Sequence, residues 1–166
     1  MLNCSWGGSG YSTTLRRAFA YTYKMNRVAV CAMDDHEYNG EPHYPAAYGQ
    51  GIVAVGATDH NDERPFWSNY GSWIDVVAPG VSIYSCWTSG TPPYLPLSGT
   101  SMATPHVTGL AGLLKSYNSS LYNDDIEQII RISADDKGAP GWDDSTGTGR
   151  INARKALDLL RAPNKL

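Results

Sequence analysis

The stretch that most restricts how this chain folds is Ser98-Gly99-Thr100-Ser101-Met102-Ala103-Thr104-Pro105-His106-Val107, small residues that run straight into an apolar segment. Ala103, Val107, Leu110 and Leu114 recur at helical spacing and predict one buried face on a helix that continues to about Lys115. Pro105 has no N–H and is tolerated within the first turn, so the helix is predicted to start close to Ser101. Gly109 and Gly112 each cost roughly 1 kcal/mol relative to alanine inside a helix, which predicts another backbone packed closely there. Such a helix belongs at the centre of a fold. A serine at its N-terminus reads first as a capping residue.

The rest of the chain alternates short apolar runs with helical patterns. Leu2 to Ser5 predicts a short buried strand, and Trp6-Gly7-Gly8-Ser9-Gly10 a loop. Leu15, Ala18, Phe19 and Thr22 fall on one face of a helix that Ser12 or Thr13 caps, Lys24 suits electrostatically and Asn26 ends. Val28 to Ala32 follows as a second buried strand and completes a βαβ unit with parallel strands. Asp34 to Gly51 reads as a long loop, Ile52 to Ala57 as a third strand, and Trp73 to Ala78 as a fourth that Pro79-Gly80 ends. Ser82 to Ser85 is extended, and Thr91 to Pro96 is a proline-rich turn. Asp124 to Ile132 predicts an amphipathic helix with Ile126, Ile129 and Ile130 inward and Asn123 as its cap; Asn152 to Leu160 predicts a last helix before a basic tail. The alternation predicts an α/β fold of three layers, a largely parallel sheet flanked by helices, as one unit over residues 1–166.

Composition excludes several partners. With 166 residues and 42% hydrophobic content the chain is long enough for one sizeable core. A formal charge of -3 and a pI near 5.7, with no basic run, give no electrostatic case for nucleic acid. The apolar runs are too short for a membrane span, and the N-terminus lacks the basic segment and apolar core of a signal peptide. Cys4, Cys31 and Cys86 are odd in number and lack metal-ligand spacing, so reduced thiols are expected.

The Ser98 to Val107 string is similar to the nucleophile motif of the subtilisin-like serine proteases, the subtilases. The resemblance is nearest to thermitase-like members and runs from Asn3-Cys4-Ser5-Trp6-Gly7-Gly8 to Gly149-Arg150-Ile151-Asn152-Ala153. It implies Ser101 as the nucleophile of peptide-bond hydrolysis through an acyl-enzyme. It also implies Ser5, Trp6 and Gly7 as the edge on which an extended polypeptide substrate pairs, with Cys31, Ala32, Met33, Asp34 and Asp35 as the facing wall of the first specificity pocket. Met33 stands where the family has glycine and is expected to narrow or fill that pocket. Asp34 stands where the family has an oxyanion-hole asparagine. A carboxylate accepts hydrogen bonds and donates none, so it would repel a developing oxyanion, whereas a protonated Asp34, favoured by Asp35 beside it, would donate. The residues alone read equally as a solvated loop pair. Tyr44-Pro45 matches a step that is cis in subtilases. Asp75 matches a carboxylate that relatives use in a weak calcium or sodium site with carbonyls of the Tyr44 to Gly51 loop; read alone, it is an ordinary strand residue with backbone partners. No other cofactor is implied.

A serine hydroxyl needs a base, normally a histidine oriented by a carboxylate. His106 lies five residues beyond Ser101 and about 140° around the helix, and is expected to be a packed structural residue. His36, His43 and His60 fall in predicted loops and are expected at the surface. In subtilases the triad Asp and His precede the Ser-Trp-Gly-Gly loop, and neither an Asp-Ser-Gly or Asp-Thr-Gly motif nor a His-Gly-Thr-His motif occurs here. The chain therefore resembles the C-terminal half of the catalytic domain, a truncated or split product, inactive alone and completed by the N-terminal half as a partner. The family implies an extracellular enzyme. The alternative is a non-catalytic peptide-binding module that keeps the groove.

Overall fold

Uninterrupted runs of small and β-branched residues form the sheet, because strands covered on both faces have no use for alternating polarity. Strands β1 (Leu2–Cys4), β2 (Ala29–Ala32), β3 (Val53–Thr58) and β4 (Val76–Pro79) pair in parallel in that order, with Cys4 opposite Cys31 and Cys31 opposite Ala54. The computed structural model describes residues 1–35, 40–88 and 92–161, so the expectation for His36 lies outside it.

Alternate strand residues serve two cores. Val30, Val53, Val55, Val76 and Ala78 pack beneath helices α2 (Thr100–Tyr117), α3 (Asn123–Ile132) and α4 (Ala153–Arg161). Ala29, Cys31, Met33, Ala54 and Val77 face Phe19 of α1 (Thr13–Lys24) and Tyr48 of the 3-10 turn Ala46–Tyr48. Each buried Val or Ile contributes about 1.5–3 kcal/mol. The result is the expected three-layer α/β arrangement.

Several local expectations need correction. Strand β1 is buried only at Cys4: Leu2 is 40% exposed, because β1 pairs on one side and forms the sheet edge. The opposite edge is covered, since Val77 N–H donates to Gly149 O and Ile151 N–H to Val77 O, both at 3.0 Å. Gly149 has a φ of 113°, and a side chain there would collide with the Asp135 carbonyl. Helix α1 is capped by Ser12, whose Oγ accepts from Leu15 N–H at 3.2 Å, and ends at left-handed Asn26, but Ala18 faces solvent. Strand β4 starts at Val76, three residues later than predicted. The stretch predicted as a proline-rich turn, of which Thr91 lies outside the described residues, overlaps a strand, β6 (Tyr94–Leu97), antiparallel to β5 (Ile83–Cys86); Pro96 is tolerated there because a two-stranded ribbon leaves each strand one free edge. In α3, Asn123 is the first helical residue and not the cap, and its side chain donates to Tyr23 O at 3.1 Å. Asn152 caps α4 by accepting from Lys155 N–H at 3.0 Å.

Helix α2 begins at Thr100 as the sequence predicts, yet Pro105 is its sixth residue and lies beyond the first turn. Gly109 and Gly112 face open space, with nothing within 4 Å of where a side chain would start, so close backbone packing does not explain them. Among the described residues no helix is long and apolar enough to cross a membrane.

Candidate active site

The N-terminus of α2 is held by groups distant in sequence. Gly99, at the cap position, has no side chain to offer, and Asp35 takes over: its Oδ1 accepts from Thr100 N–H at 2.7 Å. A side chain at Gly99 would start 2.6 Å from Asp35 Oδ2, so glycine is what allows the carboxylate in. Thr100 Oγ1 accepts from Asp34 N–H at 3.1 Å. Ser101 follows in the first turn, where helix geometry leaves its N–H without an intrahelical acceptor and the dipole favours negative charge.

Ser101 and Ser5 bond reciprocally. Ser101 Oγ donates to Ser5 O at 3.2 Å, and Ser5 Oγ donates to Ser101 O at 2.8 Å. The second bond explains Pro105. The usual helical donor to the Ser101 carbonyl is the N–H of residue 105, which proline lacks, and the Ser5 hydroxyl replaces it. Ser5→Ala is therefore expected to cost about 1–2 kcal/mol in denaturant unfolding, and Pro105→Ala in that background to restore most of the loss by supplying the missing N–H. Additive effects of the two changes would show that the bonds are unrelated.

Opposite Ser5, the chain returns at His43 and Tyr44. Gly8 N–H donates to Tyr44 O at 3.0 Å, and Tyr44 N–H to Gly8 O at 2.8 Å. The Tyr44-Pro45 peptide is cis, as the resemblance implies. A side chain at Gly7 would start 3.3 Å from Tyr44 O and 3.7 Å from Asp34 Oδ2, so Gly7 and Asp34 face each other. Asp34 has a φ of 84°, a left-handed conformation that Asp and Asn adopt more readily than most residues. Its Oδ1 accepts from Asp35 N–H at 2.7 Å, its Oδ2 lies against His43 Nδ1 at short range, and its carbonyl accepts from Asn69 N–H at 3.0 Å.

His43 is thus a correction: expected at the surface, it is only 8% exposed and paired with Asp34. The available signal was its position next to the Tyr44-Pro45 step. Met33 lies beneath the surface. It is wholly buried in the core facing α1, where it packs with Cys31, Ala54 and Val77. Cys31 lies beside Cys4, whose thiol together with burial pushes the Cys31 thiol far up, so Cys31 is no competing nucleophile. Ala32 is also buried, while Trp6 is exposed and packs one edge towards Phe19. His106 is exposed and not packed: its Nδ1 lies 3.0 Å from Met102 O, within its own helix. With Ser101, Met102, Leu95, Leu97 and Trp87 it lines a cavity of about 440 Å³. His60 is exposed as expected.

The Asp75 carboxylate does not fit a metal ion. Its Oδ2 accepts from Ala54 N–H at 2.8 Å and its Oδ1 is paired with Arg131 Nη2 at 2.8 Å, which leaves little for a cation that wants six to eight oxygens. Among the described residues no group of three or more His, Cys, Asp or Glu could hold a metal. Beside it, burial pushes Glu127 up to about 7 from an ordinary 4.5, against the pull of Arg131. Because the folded-state value is the higher one, the favourable contribution is complete below pH 4.5 and is lost as pH rises to 7. Glu127→Gln is expected to abolish that decline and to be more stable at pH 8 by about 2–3 kcal/mol in urea unfolding. Parallel pH dependence in the two proteins would contradict it.

The site thus sets a serine at the N-terminus of the central helix of a parallel α/β sheet, beside a glycine-bearing edge. Residues 1–149 match the Subtilase family, and the chain belongs to that family. It is 42% identical over 159 residues to thermitase of Thermoactinomyces vulgaris, covering 95% of this chain and 53% of that protein. It is 39% identical over 154 residues to Subtilisin Savinase of Lederbergia lenta, covering 93% and 55%. A protease structure from Pseudoalteromonas arctica superposes with a TM-score of 0.83 at 33% identity, covering 94% of this chain and 50% of that one. A psychrophilic subtilisin-like protease from an Antarctic Pseudoalteromonas shares the fold, with a TM-score of 0.85 over 95% of this chain and 69% of that one, at 18% identity. The chain spans about half the length of the curated relatives it matches.

Proposed function

We propose that this chain carries the nucleophile of a serine endopeptidase, whose general base and orienting carboxylate come from outside these 166 residues. The observation that carries the reading is the Ser101 hydroxyl at the start of α2, donating to Ser5 on the substrate edge and not to an imidazole. The histidines nearby are occupied elsewhere, His43 with Asp34 and His106 against its own helix. In the reaction, Ser101 Oγ attacks the scissile carbonyl as its proton passes to the external base, and the Ser101 N–H receives the oxyanion. An extended polypeptide pairs along Ser5 to Gly7, and the cavity lined by Met102, Leu95 and Leu97 takes the leaving-group side.

A second reading, a peptide-binding module without chemistry, is favoured by the engagement of Asp34 with His43, a carboxylate where the resemblance implies an amide donor to the oxyanion. The two readings separate on supplying the missing half. An endopeptidase gains Ser101-dependent peptide hydrolysis when mixed with a chain bearing the Asp and His motifs; a binding module retains peptide affinity and gains none.

A further inference from the structure

We propose that Arg131 is the resident cation of this fold, a guanidinium tethered by α3 that permanently takes the place of a bound metal ion at Asp75. Three observations point there. First, both Asp75 oxygens are engaged at 2.8 Å, one by Ala54 N–H and the other by Arg131 Nη2, and an N–H aimed at a carboxylate oxygen competes directly with a metal for its lone pairs. Second, a second carboxylate stands in the same place. Glu127, one helical turn before Arg131 and only 6% exposed, presents an Oε1 with no hydrogen-bond donor, and the Arg131 Nε is likewise buried without an acceptor. Third, these groups line one cavity of about 600 Å³ with the Gly49 to Ile52 loop, Trp142 and Asp124, and Asp124 is itself engaged by Tyr23 OH at 2.6 Å.

The charge balance follows. Asp75, Glu127 and Asp124 make the cavity acidic, and Arg131 is the positive charge within it. A divalent ion entering beside Asp75 would meet the guanidinium as a like charge within contact distance and would have to displace it. Without Arg131 the Asp75 Oδ1 atom loses its partner and becomes a hard oxygen ligand of the kind calcium prefers. The prediction is a conditional metal dependence: none in the parent protein, and one in a variant that has lost the arginine.

The test measures Tm of the protein in 5 mM calcium chloride and in EDTA. The parent is expected to melt at the same temperature in both. Arg131→Met, which keeps the aliphatic stem without the charge, is expected to melt lower than the parent in EDTA and to rise by about 5 °C in calcium, and Asp75→Asn in that background to abolish the rise. If Arg131→Met folds only in calcium, the proposal stands. If it folds in neither condition, Arg131→Lys decides: the retained charge should give a folded protein indifferent to calcium, and a Lys variant that requires calcium overturns the proposal. A parent whose Tm rises in calcium through Asp75 overturns it outright, as does an Arg131→Met variant as stable as the parent in EDTA and unresponsive to calcium.

Discussion

With base and carboxylate supplied, Ser101→Ala is expected to lower kcat for peptide hydrolysis by about 10⁶-fold while leaving KM within a few-fold, a magnitude carried over from subtilisin itself. The reason is that the alcohol is the one group whose bond to the acyl carbon forms in the transition state, while on the proposed reading the edge at Ser5 to Gly7 and the leaving-group cavity hold substrate with or without it. The loss should stop short of the rate in water, because the remaining N–H donor at the start of α2 and the bound geometry still operate. Initial rates on a peptide anilide give the comparison. A loss below tenfold would place the nucleophile elsewhere, and Cys31, whose thiol Cys4 and burial hold protonated, is not available for that role.

The second large effect concerns Asp34. In the completed enzyme, Asp34→Asn combined with His43→Gly is expected to raise kcat by about 10²-fold or more, corresponding to the 2.7–4 kcal/mol that one oxyanion donor is worth in subtilisin. Both changes are needed. An amide at position 34 alone keeps the Asp35 N–H on its oxygen and His43 against its nitrogen, as the carboxylate does now, so the single variant should gain less. Removing the imidazole takes away one of the groups that hold the amide in its present orientation, and the left-handed backbone at this residue suits asparagine as well as aspartate. KM should change little, since the contact forms chiefly as charge develops on the oxygen. Equal kcat in the parent, both single variants and the double variant would show that residue 34 takes no part in the oxyanion hole.

How much of this was legible in the sequence depended on how local the cause was. Strands β2 and β3 and helix α2 were readable because their apolar residues follow one period without interruption, and the Ser98 to Val107 string identified the family before any geometry. Strand β1 was readable as a strand but not as one exposed at Leu2 and Asn3, because three residues at an edge carry the same composition as three in the middle. Strand β6 was missed because Pro93 and Pro96 resemble a turn until β5 is seen alongside. The site's less visible parts are all long-range. Pro105 makes sense only once Ser5, 96 positions before Ser101, supplies the missing donor. His43 looks like any loop histidine until the Gly8 to Tyr44 bridge folds it against Asp34, and Arg131 reads as a helix-end cation until α3 brings it to Asp75.

On the proposed reading Ser101 is a nucleophile in place but without its base. Labelling by a fluorophosphonate, followed by intact mass, tests it most directly, since the probe reports activation of the hydroxyl without requiring turnover. The chain alone should show no Ser101-dependent labelling, and addition of a chain bearing the Asp and His motifs should bring stoichiometric labelling at least about 10³-fold faster, lost in Ser101→Ala. Stoichiometric labelling of Ser101 in the chain alone, or none with both halves folded together, would contradict the account.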